Sequence, residues 1–282
     1  MKFFGKRAST PAESRPDLLL RAAETDIDSC RTAIAVSFER ANFEYAARNA
    51  NSAIRDHLER IAILVRAKND YPAAREELTA ALPLVQTLEN AVARCNERGF
   101  SEEGKSFIHL MNFTSALLLL LLRQDWPRVK TLVAMTALPV VKEEGLEEES
   151  GGVLDVVMRM LAATLKNDAA ALAAAQRRFQ TERMVDRYYE VYFEYDRMMA
   201  AIVAGDAKGV TDFLAELEMQ FARRATDKQL VNQELLKAAG EDNAFVFDVW
   251  AVALALLARH RGIEVTHSTP VVPVGEFAQN GS

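Results

Sequence analysis

Residues 115–127 read SALLLLLLRQDWP and contain the signal on which the fold prediction depends. The apolar run Ala116–Leu122 is far shorter than the roughly 20 residues that cross a membrane, so it predicts a buried helix. Asp125 offers a side-chain oxygen to the first free N–H groups of a second helix, and Pro127 suits the first turn of that helix. The stretch therefore predicts two helices joined by a tight turn.

The same junction recurs at Asn69-Asp70, Asn167-Asp168 and Gly205-Asp206. The capping aspartates are separated by 55, 43 and 38 residues, which is irregular but close to the length of a two-helix unit. Gly and Pro are scarce, and the alternation typical of strands is almost absent. We therefore predict an all-α fold: an array of antiparallel helix hairpins, or degenerate tetratricopeptide-like helical repeats, with an extended C-terminal tail.

The periodic pattern also predicts the limits of the main units. Residues 1–16 are expected to be a flexible lead-in, residues 17–263 a single all-helical domain, and residues 264–282 an extended tail. Residues 26–68 predict one long helix or two nearly collinear ones. Further helices are expected near 72–98, 102–123, 127–138, 152–166, 168–181, 183–204, 206–223, 227–239 and 243–261. An acidic, glycine-containing loop is predicted near 142–152, and the choice between one solenoid and two small bundles stays open.

The net charge and the cysteine content limit the kinds of partner and the cellular compartment that we expect. The net charge of −6 opposes non-specific binding to nucleic acid or to an anionic membrane, and would attract a basic protein. Cys30 and Cys95 are far apart, and no secretory signal pattern is present, so we expect no disulfide and a reducing cytoplasm. The sequence leaves the oligomeric state undetermined.

Catalytic and metal-binding patterns are weak. The four histidines, His57, His109, His260 and His267, lie in unrelated neighbourhoods, and His57 and His260 are expected at the surface. Residues 99–106 match Gly-x-x-x-x-Gly-Lys-Ser, but they follow a predicted helix instead of a buried strand, so Lys105 is not expected to bind phosphate. We predict no catalytic residue, no cofactor and no metal, and therefore that the protein is not an enzyme.

One segment has the composition of a partner-binding face. On a helix, Tyr188, Tyr192 and Tyr195 share one stripe, and Glu190 and Glu194 share another. Rigid aromatic anchors beside acids suit a basic protein partner, although the tyrosines could equally pack against neighbouring helices. The acidic loop could cover a cationic cleft through Glu143, Glu144, Glu147 and Glu148.

Residues 242–265, DNAFVFDVWAVALALLARHRGIEV, and the following Val271-Val272-Pro273 show a family likeness. They resemble the C-terminal end of the immunity protein 49 family of bacterial polymorphic toxin systems. In that family an alanine-rich last helix ends in a basic-Gly-apolar turn and continues into a short proline-containing tail. The likeness covers about the last third of the chain, and the Gly205-Asp206 junction is also similar.

The resemblance implies a role without implying catalytic residues. We expect an immunity protein that binds a cognate toxin domain in the cytoplasm and occludes its active site, and the acidic net charge favours a basic toxin. The alternative is a tetratricopeptide-like adaptor or regulator that binds a peptide or protein partner in a concave groove. An enzyme that uses Lys105 is the third option.

Overall fold

The computed structural model describes residues 14–98, 113–136, 153–182, 193–226 and 247–278. Every regular element within these ranges is a helix, which confirms the all-α prediction. The helices are α1 (Arg15–Glu39), α2 (Phe43–Ile63), α3 (Tyr71–Ala80), α4 (Leu82–Arg98), α5 (Thr114–Arg123), α6 (Trp126–Thr136), α7 (Val153–Lys166), α8 (Ala169–Glu182), α9 (Phe193–Ala204), α10 (Ala207–Thr226), α11 (Val249–His260) and α12 (Val274–Phe277). No helix among them is both long and apolar enough to cross a membrane.

The predicted junctions share one local geometry. The residue before each aspartate has a positive φ: 51° at Asn69, 60° at Gln124, 55° at Asn167 and 70° at Gly205. This left-handed residue ends one helix, and the aspartate that follows caps the next. Each capping carboxylate oxygen accepts a hydrogen bond from a backbone N–H group. The N···O distances are 3.0 Å at Asp70, 3.3 Å at Asp125, 2.9 Å at Asp168 and 2.9 Å at Asp206.

A fifth junction, at Ala41-Asn42, turns residues 15–63 into an antiparallel hairpin. Ala41 has φ 54°, and Asn42 caps α2 by accepting the Tyr45 N–H at 3.1 Å. The ends of the hairpin meet where Lys68 Nζ lies 2.6 Å from Asp17 Oδ1. The prediction of one long helix or two collinear helices over 26–68 was therefore wrong, because an alanine in the left-handed region gives no sequence signal.

The predicted helix over 72–98 is two helices, divided at Ala81. Pro83 lies in the first turn of α4, where its missing N–H breaks the hydrogen-bond ladder of a continuous helix. The last turn before the Asn69 junction, Leu64–Lys68, is a π-helical turn. Residues 102–112, 183–192 and 227–246 of the other predicted helices, and the loop at 142–152, lie outside the described residues.

The buried apolar side chains form one contiguous cluster that extends from Ile34 to Phe277. Two central elements of this core are α5 and α11, which pack against each other; α11 also packs against α9. Every residue of α11 from Val249 to Ala258 is buried, as expected for an apolar run of this length. The helices α7 and α8 form one packed pair, and α9 and α10 form another.

The tail begins after Gly262, whose φ of 80° ends α11. Residues 263–273 run without helix, and the backbone N–H of Asp248 donates to the Val271 carbonyl at 2.8 Å. Val265, Val272 and Val274 are buried against the core. The expected extended tail also contains one helical turn, α12, which the sequence analysis missed.

Candidate partner-binding site

The residues predicted for partner binding are only partly described by the structure. Glu194 lies within α9, but its side chain is outside the described set. Tyr195 is buried, with 4% of its surface exposed. The others fall outside the described residues: Tyr188, Glu190, Tyr192, Glu143, Glu144, Glu147 and Glu148.

Tyr195 joins α9 to the start of α11. Its hydroxyl donates to the carboxylate of Asp248, with oxygen separations of 2.7 and 2.8 Å. The same carboxylate caps α11 by accepting the Ala251 N–H at 2.9 Å. Because the phenol is buried and hydrogen-bonded to Asp248, Tyr195 does not present an exposed anchor and instead follows the alternative that the tyrosines pack against neighbouring helices.

Beside Tyr195, an open groove runs between α8 and α9. We call it the α8–α9 groove; it is lined by Ala173, Gln176, Arg177, Gln180, Thr181 and Asp196 and encloses about 600 Å³. Gln176 and Gln180 are one helical turn apart, so both amides face α9. The groove is thus built mainly from the polar face of α8.

Asp196 lies at the floor of the groove and is 2% exposed. Gln176 Nε2 donates to its Oδ1 and, at 3.3 Å, to its carbonyl oxygen, and Gln180 Nε2 donates to its Oδ2 at 3.1 Å. These bonds fix the carboxylate in one orientation. The carboxylate is thus satisfied inside the protein, and the groove presents amide and hydroxyl groups beside the Arg177 guanidinium to a partner.

The α8–α9 groove was not predicted from the sequence, although the predicted segment includes the neighbour of Asp196. The segment around Tyr195 drew attention to its aromatic residues, while Asp196 was the residue that faces α8. The i, i+4 spacing of Gln176 and Gln180 was a readable signal, since two amides on one face of a helix suggest a common partner. That the common partner is Asp196 depends on the packing of α8 against α9.

A second polar arrangement lies in the N-terminal region, where α2 packs against α1 and α3. We call it the α2 charged cluster: Asp56, His57, Glu59 and Arg60 of α2 with Glu77 of α3. His57 is 3% exposed, which contradicts its expected surface position. His57 Nδ1 lies 2.6 Å from Glu77 Oε1, and Arg60 Nε lies 2.7 Å from the same oxygen.

The carboxylates of this cluster have opposite electrostatic environments. Burial alone would raise the pKa of Glu77, but the hydrogen bond from His57 and the charge of Arg60 together lower it. Burial raises the pKa of Glu59 to about 8, and the nearby charge of Asp56 adds to the effect. Glu77 is therefore held ionised, whereas Glu59 favours its protonated form near neutral pH.

The remaining candidate groups are dispersed. His260 is exposed, as predicted, and stacks on Trp126 with ring centroids 3.8 Å apart. Cys30 and Cys95 are free thiols, and burial raises the pKa of Cys95 to about 12. Within the described ranges, no three His, Cys, Asp or Glu side chains are grouped so as to hold a metal ion. Residues 99–106, which match the phosphate-loop pattern, lie outside those ranges.

Comparison of the chain with known proteins finds no match. No protein-family model matches the chain, and neither the curated proteins nor the solved structures give a match.

Proposed function

We propose that the chain is an immunity protein that binds a cognate bacterial toxin in the cytoplasm and neutralises it by occluding the toxin's active site. The observation that carries the proposal is the C-terminal arrangement. An alanine-rich helix, α11, ends in a left-handed Gly262 turn and continues into a proline-containing tail. This arrangement is the one that the resemblance to the immunity protein 49 family implies.

The α8–α9 groove is the contact surface that we assign to this function. It is open, so a loop or side chain of a folded partner has access to its amide and hydroxyl groups. Asp196 holds the two glutamine amides of the groove in place, and the net charge of −6 favours approach of a basic toxin domain.

A second candidate function is that of a tetratricopeptide-like adaptor, with the helix pairs arranged as degenerate repeats. The recurring left-handed residue and aspartate cap favours this alternative. An adaptor binds several short peptides weakly, whereas an immunity protein binds one folded domain tightly. The two functions are therefore separable by the size and number of the partners.

The test is growth rescue in a bacterial host that expresses the toxin domain encoded beside this chain. Ala173→Arg places a long cationic side chain in the groove, where it fills the opening and repels a basic partner. Ala174→Arg is the matched control, because Ala174 is an exposed neighbour on α8 that does not line the groove. Both variants add the same charge to the same helix.

The proposal predicts that the wild type and Ala174→Arg restore growth and co-purify with the toxin, while Ala173→Arg does neither. Continued killing in the presence of folded wild-type protein, with no complex, would contradict the immunity function and favour the adaptor. Rescue by both variants would retain the immunity function but place the interface outside the α8–α9 groove.

A further inference from the structure

A polar pocket lies where α3 meets the α5–α6 junction, on residues separate from the α8–α9 groove. It encloses about 340 Å³ and is lined by Arg75, Leu78, Thr79, Arg123 and Asp125. We call it the arginine pocket, because two guanidinium groups face a single carboxylate there. In a chain with a net charge of −6, such a local excess of positive charge calls for an explanation.

Both guanidinium groups are bonded to neutral acceptors. Arg75 Nη2 donates to the carbonyl of Glu276 in α12 at 2.9 Å, and Arg123 Nη1 donates to Thr79 Oγ1 at 2.9 Å. Within the residues that the structure describes, neither group is paired with a carboxylate. Arg75 Nε is also buried without a hydrogen-bond partner, which is costly for a charged donor.

The one carboxylate of the pocket is already partly used. Asp125 Oδ1 accepts the Arg128 N–H at 3.3 Å and so caps α6. The edge of the pocket is fixed by the tail, since Gln124 Nε2 donates to the Phe277 carbonyl at 2.8 Å. Arg75 and Arg123 therefore project from anchored elements, and several of their donors remain free for a ligand.

We propose that the arginine pocket binds a phosphate-type oxyanion through Arg75 and Arg123. A guanidinium group presents a planar fork of N–H donors that matches two oxygens of a phosphate, and two such groups satisfy a doubly charged ion. The volume exceeds that of one phosphate, so the pocket also accommodates a phosphate carried on a small molecule. This site is independent of the proposed toxin-binding groove.

The test is calorimetric titration of the full chain at low ionic strength, with inorganic phosphate in one arm and methyl phosphate in the other. Arg123→Gln removes one guanidinium, and Arg123→Lys keeps the charge without the fork. Arg94→Gln is the control, because Arg94 is exposed on α4 and pairs there with Glu97. Circular dichroism establishes that each variant keeps its helical content.

We expect one saturable site per chain for at least one ligand, weakened about tenfold or more by Arg123→Gln, less by Arg123→Lys and not by Arg94→Gln. Binding of inorganic phosphate identifies the free ion as a sufficient ligand. Binding of methyl phosphate alone identifies a phosphate attached to a larger molecule. Absence of saturable heat in both arms, or equal weakening by Arg94→Gln, would overturn the proposal.

Discussion

The helices α2 and α11 both lie in the core, but they are buried in different ways. From Val249 to Ala258, α11 buries only apolar side chains, and its one buried carboxylate, Asp248, lies at the N-cap. In contrast, α2 buries Asp56, His57 and Glu59 in its middle. One helix is stabilised mainly by the removal of apolar surface from water, and the other depends in addition on charge pairing with α3.

This difference determines whether the burial of each helix can be predicted from its sequence. An uninterrupted apolar run predicts burial without any knowledge of neighbours, and α11 follows that prediction. A charged stretch such as residues 55–60 has the composition of a solvent-exposed face. Its burial is compensated in the folded chain by Glu77, which contacts His57 and Arg60, and by Arg55, which lies beside the Asp56 and Glu59 carboxylates. The burial of charged residues therefore depends on tertiary packing and is not visible in the local sequence.

The largest expected effect is in the apolar helix. Leu254 is fully buried at the centre of α11, so Leu254→Ala should lower the free energy of unfolding by about 2–5 kcal/mol through lost burial and a residual cavity. Leu18→Ala is the control, because Leu18 is 50% exposed on α1 and should change stability by less than about 0.5 kcal/mol. Urea unfolding measures both, and equal losses would contradict the assignment of α11 to the core.

The charged helix should be sensitive to loss of its partner. Glu77→Ala leaves Arg60 and the buried His57 without their common acceptor and should cost about 3 kcal/mol at pH 7. Because the folded pKa of Glu77 is lowered, this loss should be complete above its ordinary pKa and should shrink as the pH falls through the folded value.

Glu76→Ala, at an exposed position on the same helix, is the matched control for Glu77→Ala. Chemical denaturation of both variants at several pH values gives the comparison. If the two substitutions had equal effects at pH 7, the α2 charged cluster would contribute no more than a solvated surface.

Glu59 should show the opposite pH dependence. Its folded pKa of about 8 lies above the ordinary value of 4.5, so the folded state holds a proton that the unfolded state has released. Stability from this group is complete below the ordinary pKa and is lost as the pH rises towards 8. Relative to wild type, Glu59→Gln should therefore gain up to roughly 2 kcal/mol between pH 6 and pH 8.

Thermal or chemical unfolding across that pH range tests the Glu59 prediction. Glu97→Gln is the control, since Glu97 is exposed and pairs only at the surface with Arg94. A stability difference between Glu59→Gln and wild type that does not change with pH would contradict a raised pKa for the buried Glu59 carboxyl group.

Asp168 is a polar residue whose contribution to stability is local to one helix end. Asp168 caps α8 through the Ala171 N–H, so Asp168→Ala should destabilise the protein by about 1 kcal/mol, less than loss of Glu77. The control is Asp28→Ala, an exposed substitution within α1. Unfolding in urea ranks the three variants, and a larger effect for Asp168 than for Glu77 would reverse the proposed order.

The sequence predicted features that depend on neighbouring residues, and it missed features that depend on distant ones. The aspartate caps after Asn69, Gln124, Asn167 and Gly205 were predicted correctly because each signal lies within a few residues. The helix expected over 243–261 begins only at Val249, where Asp248 caps it. The turn at Ala41 was missed, since alanine pays a steric cost in the left-handed region and does not mark turns.

The candidate site was predictable only in part, for the same reason. Asp196 lies in a segment that the sequence had already marked, but its two amide partners lie 20 and 16 residues earlier in the chain. Tyr195 was placed on a binding face because helical spacing identifies a shared stripe without showing which neighbour covers it. Its partner Asp248 is 53 residues away.

We propose that the chain recognises one folded toxin domain through the α8–α9 groove, and the equilibrium dissociation constant of the purified pair tests this proposal. We predict tight binding for wild type and Ala174→Arg, and at least about 100-fold weaker binding for Ala173→Arg, the loss expected from one blocked interface hot spot. No measurable binding by folded wild-type protein, or the same constant for both variants, would contradict the claim.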